Sequence, residues 1–367
     1  CITGSFMRLF VNIVYYITGH GYGHAIRAFE IIKALLEYPR ISQITIKTTA
    51  PEWLFEPKPD ARFCYIENEL DFGCIQSDSF NLDKKQTLQR YADLLDQKST
   101  LVNKEADFIK SQNINLVLSD ITPFAFDAAQ LADTKSIAIG NFSWDWIYSQ
   151  WLDEFPQFEF VIHDIRTSYS KADILYRLPF HGDMSAFPES IDTPLVGRRS
   201  NLPHEFVREQ ILKQISADTK LIFLGLRTTD LLGIDWDQLT CGNHFTYLSQ
   251  NRDIPGSGII NIQSSFEFYD LLSACDAVIT KPGYSMVSEI IVNKVPALYV
   301  PRYDNIEDQP LIKALADYAV SQELPPLDFK TGNWHSHLET LFSKPNRWPH
   351  IKDDGASFIA ETIMEGV

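Results

Sequence analysis

Positive charge is scarce in this chain: 32 lysines and arginines stand against 48 aspartates and glutamates, a net charge of −16 over 367 residues. A general nucleic-acid binder needs a basic surface to displace counterions from phosphates, so that class is excluded. A local basic pocket for one phosphorylated ligand is not. Cysteine is scarce too. Cys1, Cys64, Cys74, Cys241 and Cys275 are odd in number, scattered and without C-x-x-C spacing. That pattern excludes a disulfide framework or a zinc knuckle and predicts reduced thiols in a cytosol-like compartment. Long hydrophobic runs are lacking: the longest, "LFVNIVYYI", has nine residues, far short of the roughly 20 that span a bilayer as a helix. No signal-peptide pattern is present. A cytoplasmic protein without a transmembrane segment is therefore expected, with peripheral membrane contact and oligomeric state left open.

What is present is alternation. Residues before Met7 are set aside. "RLFVNIVYYIT" (8–18), "QITIKTTA" (43–50), "RFCYIEN" (62–68), "NLVLSD" (115–120), "KSIAIGN" (135–141) and "ADILYRLPF" (172–180) read as strands. Helical patterns separate several of them, including Ala25, Ala28, Phe29, Ile32 and Leu36 on one face, and one long or two shorter amphipathic helices between Leu82 and Ile109. The stretch 181–202 has no periodicity and reads as a linker. A second alternation follows, with strands at 219–227, 244–250, 258–263, 276–281 and 295–301 and helices at 266–274, 284–293 and 308–320. Ala356, Ile359, Ala360 and Ile363 mark a last helix. The expectation is α/β: two Rossmann-like, doubly wound parallel-sheet domains (7–180 and 203–350) facing a central cleft, with a C-terminal helix (351–367) that packs back on the first.

Behind the first strand, "TGHGYGHAIRAFE" (18–30) packs Gly19, Gly21, Gly23, His20 and His24 into six positions. A dinucleotide fingerprint needs a third glycine where His24 stands and an acidic residue closing the second strand, which ends "KTTA". Both features fail. The turn brings backbone close to a ligand and projects two imidazoles, the side chains best suited to accept a proton near neutral pH. Asp120 ends another strand of the same sheet, where a carboxylate can hold a ring nitrogen. The competing reading is structural, with His24 packed at a helix start and His20 solvated.

In the second half, "DAVITKPGYSMVSEIIVNKVPALYVPRYDNIEDQP" (276–310) is the informative stretch. A strand ends at Lys281, a turn with Gly283 and Tyr284 follows, and a helix starts near Ser285. Uncapped backbone N–H groups and the positive helix end suit an anion, and Ser285 and Ser288 can add hydroxyl donors. Glu289 can accept hydrogen bonds from ribose hydroxyls or merely complement the helix dipole. Arg302 can meet a phosphate, and Glu307, Asp308 and Gln309 sugar hydroxyls. Asp235 and Asp237 spell D-x-D, a three-residue match off the strand-end position a metal site needs, so no metal is expected. "NFSWDWIYSQW" (141–151) supplies aromatics that form core or cleft wall, or stack on a sugar. Asn141 and Ser143 are the polar candidates there on the acceptor side, and Asp145 a weaker one.

These residues carry a resemblance. Gly283, Ser285 and Val287–Ser288–Glu289 match the donor turn of GT-B glycosyltransferases similar to the bacterial enzyme that adds N-acetylglucosamine to a peptidoglycan precursor. Gly21–Tyr22–Gly23–His24 matches that family's glycine-rich turn ending in histidine. "TGHGYGHAIR", "SDITPFAFDAA", "NFSWDWIY" and "RLPF…PLVGRR" resemble the glycosyltransferase-like N-terminal region of plant L-arabinokinases. The sugar-kinase domain of those proteins has no counterpart in these residues, so kinase activity is not expected. The resemblance implies a GT-B fold, Glu289 on the ribose of a UDP-sugar, Gln309 on the donor sugar and His24 on the acceptor side. One departure stands out: where many GT-B proteins have a glycine-rich phosphate loop, "TTDLLGIDWDQLTCGNH" follows Arg227, which leaves Arg227 as a substitute anion contact. The expected activity is metal-independent, inverting transfer of a sugar from a nucleotide-diphosphate sugar, a co-substrate with no further cofactor, to an unidentified hydroxyl acceptor. A hydrolysing UDP-sugar epimerase and a non-catalytic nucleotide-sugar binder are the alternatives.

Overall fold

The computed structural model describes residues 10–78, 80–213, 219–234, 236, 239, 245–250, 259–261 and 266–366. Cys1, Cys241, Asp235 and Asp237 lie outside the described residues, as do the outer residues of the strands expected at 8–18, 244–250 and 258–263. In chain order the elements are β1 (Val11–Ile17), α1 (Tyr22–Leu36), β2 (Ile41–Thr48), β3 (Phe63–Glu67), β4 (Gln76–Asp78), β5 (Asn81–Leu82), α2 (Lys84–Leu95), α3 (Lys98–Ser111), β6 (Leu116–Asp120), α4 (Phe124–Ala132), β7 (Lys135–Gly140), α5 (Trp144–Ser149), α6 (Glu159–Tyr169), β8 (Ile174–Arg177) and β9 (Ser190–Asp192). There follow α7 (His204–Leu212), β10 (Lys220–Gly225), β11 (Phe245–Ser249), β12 (Ile259–Asn261), α8 (Phe268–Ser273), β13 (Ala277–Thr280), α9 (Tyr284–Asn293), β14 (Ala297–Tyr299), α10 (Asp308–Tyr318), β15 (Ser321–Glu323), α11 (Pro326–Thr331), α12 (His335–Ser343) and α13 (Gly355–Glu365).

The chain divides into two compact units, one of residues 1–75, 83–196 and 354–367, the other of 76–82 and 197–353. The first holds a seven-stranded parallel sheet in the order β3-β2-β1-β6-β7-β8-β9. β1 is central and buried along nearly its whole length, which is why it reads as a continuous apolar run rather than an alternation. The stretch 181–202 is more than a linker: β9 pairs with β8 through Leu175, Tyr176 and Arg177, so β8 is not the last strand of its half. A three-residue strand on a sheet edge buries too little to show in a hydropathy pattern. Helix α13 belongs to this same unit.

The second unit holds a six-stranded parallel sheet in the order β12-β11-β10-β13-β14-β15. Phe245 and Tyr247 of β11 form a buried cluster with Trp236, Phe329, Trp334 and Leu338. Leu231, Ile234, Trp236 and Leu239 belong to this core, so the segment after Arg227 spends its apolar residues on packing where a phosphate loop would be bare backbone. In both sheets the strand order reverses beside the first strand, between β1 and β6 and between β10 and β13. Such a reversal opens a crevice beyond the carboxyl ends of the strands, the usual ligand position in open α/β sheets. Cys64, Cys74 and Cys275 are free thiols, and no helix among the described residues is long and apolar enough to cross a membrane.

Candidate active site

The crevice of the first unit collects its polar side chains from the ends of three adjacent strands and the start of one helix. The chain leaves β1 through Gly19, packed against Thr49, and Gly21 takes φ +69° as the N-cap of α1, a conformation that costs glycine nothing. Gly23 and His24 then fall in the first turn of α1. Asp120 ends β6 and is fully buried. The next residue, Ile121, has φ +56°, a true outlier for a β-branched side chain, costing about 1–3 kcal/mol. The surroundings hold it there: Tyr169 Oη donates to its carbonyl at 2.7 Å, and the Ser119 hydroxyl bridges the Thr122 N–H and carbonyl at 2.9 and 3.0 Å. Strain is thus stored at the turn that aims Asp120.

Asp120 has two partners. Its Oδ1 lies 2.7 Å from His24 Nδ1, and Arg27 grips the carboxylate from Nη2 at 2.6 Å and Nε at 2.7 Å. Burial opposes the charged carboxylate, but Arg27 and His24 outweigh it and hold Asp120 below its ordinary value. Arg27 Nη2 also sits 2.9 Å from His24 Nδ1. Both groups are aimed at the same oxygen, and a guanidinium cannot accept a proton. The shorter approach to a carboxylate therefore assigns the hydrogen of Nδ1 to the bond with Asp120, which leaves the lone pair of the neutral ring on Nε2.

His20 is held differently. The Cys74 N–H donates to its Nδ1 at 3.1 Å, so in the neutral ring the hydrogen is on Nε2. To take up a proton at its basic nitrogen, His20 must give up that bond. The loop over it is tight: Gly73 has φ +68°, and a Cβ there would lie 2.3 Å from His20 Cβ. His20 also meets the Trp144 ring edge-on at 5.3 Å. The two imidazoles are neighbours, their centroids 6.5 Å apart, with opposite tautomers and hence different capacities: His24 accepts a proton, His20 donates a hydrogen bond.

Two acceptor-side candidates are buried and hydrogen-bonded within the unit. Asn141 is fully buried and its Oδ1 accepts from Arg27 Nη1 at 2.5 Å. It steadies Arg27 where a ligand role was expected. Ser143 is equally buried and donates to the Asp183 carbonyl at 3.3 Å. Trp144, Tyr148 and Trp151 stack in sequence inside the core, as wall. Arg27 and Asp71 were missed. Arg27 stands three residues after His24, one turn along the same helix face. Asp71 is buried beside this crevice, accepts from Trp144 Nε1 at 3.2 Å, and is pushed up to about 7 by burial, against the pull of Thr18, Trp144 and Thr122 hydrogen bonds.

In the second unit, the reversal point is bounded by Gly225 and Thr280, whose hydroxyl donates to the Gly225 carbonyl at 2.9 Å. Helix α9 begins after Gly283 with no side chain capping it, and the space a Cβ would fill at Gly283 is empty to 4 Å. Arg227 is exposed at the end of β10 and Gln309 is exposed in the first turn of α10. Other donor candidates are buried or hydrogen-bonded within the unit. The Tyr284 ring is buried, and Ser288 is fully buried with its hydroxyl donating to the Tyr284 carbonyl at 2.8 Å. Ser285 is buried in the first turn of α9. Arg302 clasps Asp308 from Nε at 2.9 Å and Nη2 at 2.5 Å, and donates to the Pro282 carbonyl at 2.6 Å. Burial raises Asp308 to about 6 against the pull of Arg302. Arg302 and Asp308 therefore form a clamp between β14, α10 and the turn before α9, with Glu307 3.6 Å from Arg302. Glu289 is buried and accepts from Arg198 Nε at 2.5 Å.

Solved glycosyltransferases match 97% of the chain in fold. Acinetobacter baumannii MurG superposes with TM-score 0.56 at 13% identity, covering 97% of this chain and 99% of that one. The glycosyltransferase VinC, solved in complex with DTDP, gives 0.55 at 12% over 97% and 94%. A UDP-glucosyltransferase from Polygonum tinctorium gives 0.59 at 12% over 97% and 93%. The fold is GT-B. A curated relative, L-arabinokinase of Arabidopsis thaliana, is 29% identical over 342 residues, 90% of this chain. The chain spans about a third, 32%, of that relative's length. No protein-family model matches.

Proposed function

We propose that the chain is a metal-independent, inverting glycosyltransferase acting in the cytoplasm, which moves a sugar from a nucleotide-diphosphate sugar, UDP by preference, to a hydroxyl acceptor. The observation that carries this reading is the His24–Asp120 pair at the β1–β6 reversal. His24 Nε2 removes the acceptor's proton while the oxygen attacks the anomeric carbon. Asp120 holds the ring and stabilises the imidazolium. The bond from that carbon to the diphosphate oxygen breaks, the diphosphate keeps the electron pair, and configuration inverts.

The second unit binds the donor. The backbone N–H groups at the start of α9 and the Arg227 guanidinium stabilise the departing diphosphate. Gln309 and Glu307 meet sugar hydroxyls. Glu289 meets the ribose while keeping Arg198, because a carboxylate has acceptor sites beyond the one Arg198 Nε uses. The DTDP bound to VinC and the UDP-sugar chemistry of the Polygonum enzyme support a nucleoside diphosphate as the common element.

The test is a panel of UDP-sugars and candidate hydroxyl acceptors, read as UDP release in wild type, His24→Ala and His20→Ala. Acceptor-dependent UDP release, lost in His24→Ala with donor binding retained, is the expected result. Full activity in both variants removes the histidine mechanism. An epimerised sugar, or binding without turnover, replaces the transferase reading.

A further inference from the structure

Lys281 follows Thr280 at the carboxyl end of β13, on the rim of the β10–β13 reversal and two residues before the N-cap of α9. It is half-buried, and its ammonium has no hydrogen bond or ion pair among the described residues. The charged groups facing it are Arg302, Arg227, Asp230 and Asp308. Arg302 and Asp308 are matched to each other, whereas Asp230 holds Arg227 loosely and its buried Oδ1 has no hydrogen-bond partner among the described residues. Asp230 Oδ2 accepts the backbone N–H of Arg227 at 3.1 Å and lies 3.9 Å from its Nε. Lys281 thus stands beside two guanidinium groups with no ion pair of its own among the described residues.

A half-buried cation among cations is costly in the ligand-free protein. It becomes favourable when a multivalent anion arrives. We propose that the Lys281 ammonium, with Arg227, receives the diphosphate of the nucleotide donor at this reversal point, supplying from a side chain the charge that a glycine-rich loop after β10 would supply from backbone. The assignment rests on the donor reading above. It also explains why the segment after Arg227 can be spent on core packing through Leu231, Ile234 and Trp236.

The site couples binding to protons. Burial, with the positive charges of Arg302 and Arg227, pulls Lys281 down to about 7. Near pH 7 about half the molecules carry a neutral amine, and a dianion beside it restores the ammonium, so binding takes up about half a proton. The diphosphate of a UDP-sugar does not titrate between pH 6 and 8, so affinity should fall about tenfold across that range as the protonated fraction falls.

The experiment is titration calorimetry with UDP-glucose and UDP-N-acetylglucosamine from pH 6 to 8, and at pH 7 in two buffers of different ionisation heat. Inorganic pyrophosphate at pH 7 is the second probe. Wild type should bind a UDP-sugar with proton uptake. Lys281→Met should bind at least tenfold more weakly with less uptake, and Lys281→Arg should bind well with a shallower pH profile than wild type, the remaining slope coming from Asp308. Lys281→Met removes a half-buried charge among cations and should melt no lower than wild type at pH 7, so lost binding is not lost folding. A UDP-sugar bound equally by wild type and Lys281→Met overturns the Lys281 assignment and leaves the donor reading standing. Pyrophosphate bound in a Lys281-dependent way, with neither UDP-sugar bound, overturns the donor reading and leaves the anion site. No binding of any probe to wild type overturns both.

Discussion

Asp120→Asn separates the two services that one carboxylate performs. The substitution keeps the shape of the side chain and removes its charge. Arg27 is 2% exposed and donates to Asp120 from two nitrogens. Replacing the carboxylate by an amide leaves a buried guanidinium without its counter-charge, with one amide oxygen and the Asn141 oxygen to accept from it. Breaking one partner of a buried pair costs about 3–5 kcal/mol. At about 2–4 °C per kcal/mol for a domain of this size, the melting temperature should fall by about 6–20 °C. The loss has a pH signature. Asp120 is held below its ordinary value by Arg27 and His24 despite burial. Its contribution is therefore fully present above the unfolded value of about 3.9 and is lost as pH falls through the lower folded value. The gap between wild type and Asp120→Asn should be open at pH 7 and close below pH 4. Transfer should fall by about 10³–10⁴, the scale seen when a base loses the carboxylate that fixes its tautomer. Thermal melting against pH and UDP release at saturating donor measure the two effects. A melting temperature within 2 °C of wild type at pH 7, within the effect of about 1 kcal/mol, would refute the buried-pair reasoning.

Asp71→Asn probes the second carboxylate of that crevice. Burial places Asp71 at about 7, so between about pH 4 and 7 the folded state holds a proton the unfolded chain has lost, and stability falls as pH rises across that window. Asp71→Asn should remove this slope and gain on wild type as pH goes from 5 to 8; parallel melting curves would dismiss it. Ser288→Ala should leave nucleotide affinity unchanged and cost less than about 1 kcal/mol, since among the described residues the hydroxyl bonds to the Tyr284 carbonyl of its own helix. A tenfold loss of nucleotide affinity would return Ser288 to the donor site.

The architecture was legible because period-2 and period-3.6 patterns are local. β1, α1, β6, β13 and α9 all stand within a few residues of their expected places, and the region 82–109 resolved into the two helices α2 and α3. Short edge elements were not legible. β9 and β15 have three residues each, too few for any period to emerge. Among the site residues, glycine turns and strand ends marked His24 and Asp120 correctly as neighbours. Arg27 escaped notice because an arginine on a helix face reads as solvated until the fold buries it.

The amino-acid sequence by itself determined the alternation of strands and helices, the acidic net charge, and a histidine-bearing glycine turn where phosphate-cradling backbone would stand. These are properties of neighbours along the chain. Only the tertiary structure decided which polar groups spend themselves on one another: Arg27 on Asp120, Asn141 on Arg27, Arg302 on Asp308, Ser288 on its own helix. It also decided what faces the Nδ1 atoms of His20 and His24, and that the Lys281 ammonium has no hydrogen bond or ion pair among the described residues. Burial makes each unpaired donor or charge costly, so the fold forces partners together across 93 residues or more for Arg27 with Asp120 and with Asn141. A reading along the chain cannot sum those distant costs.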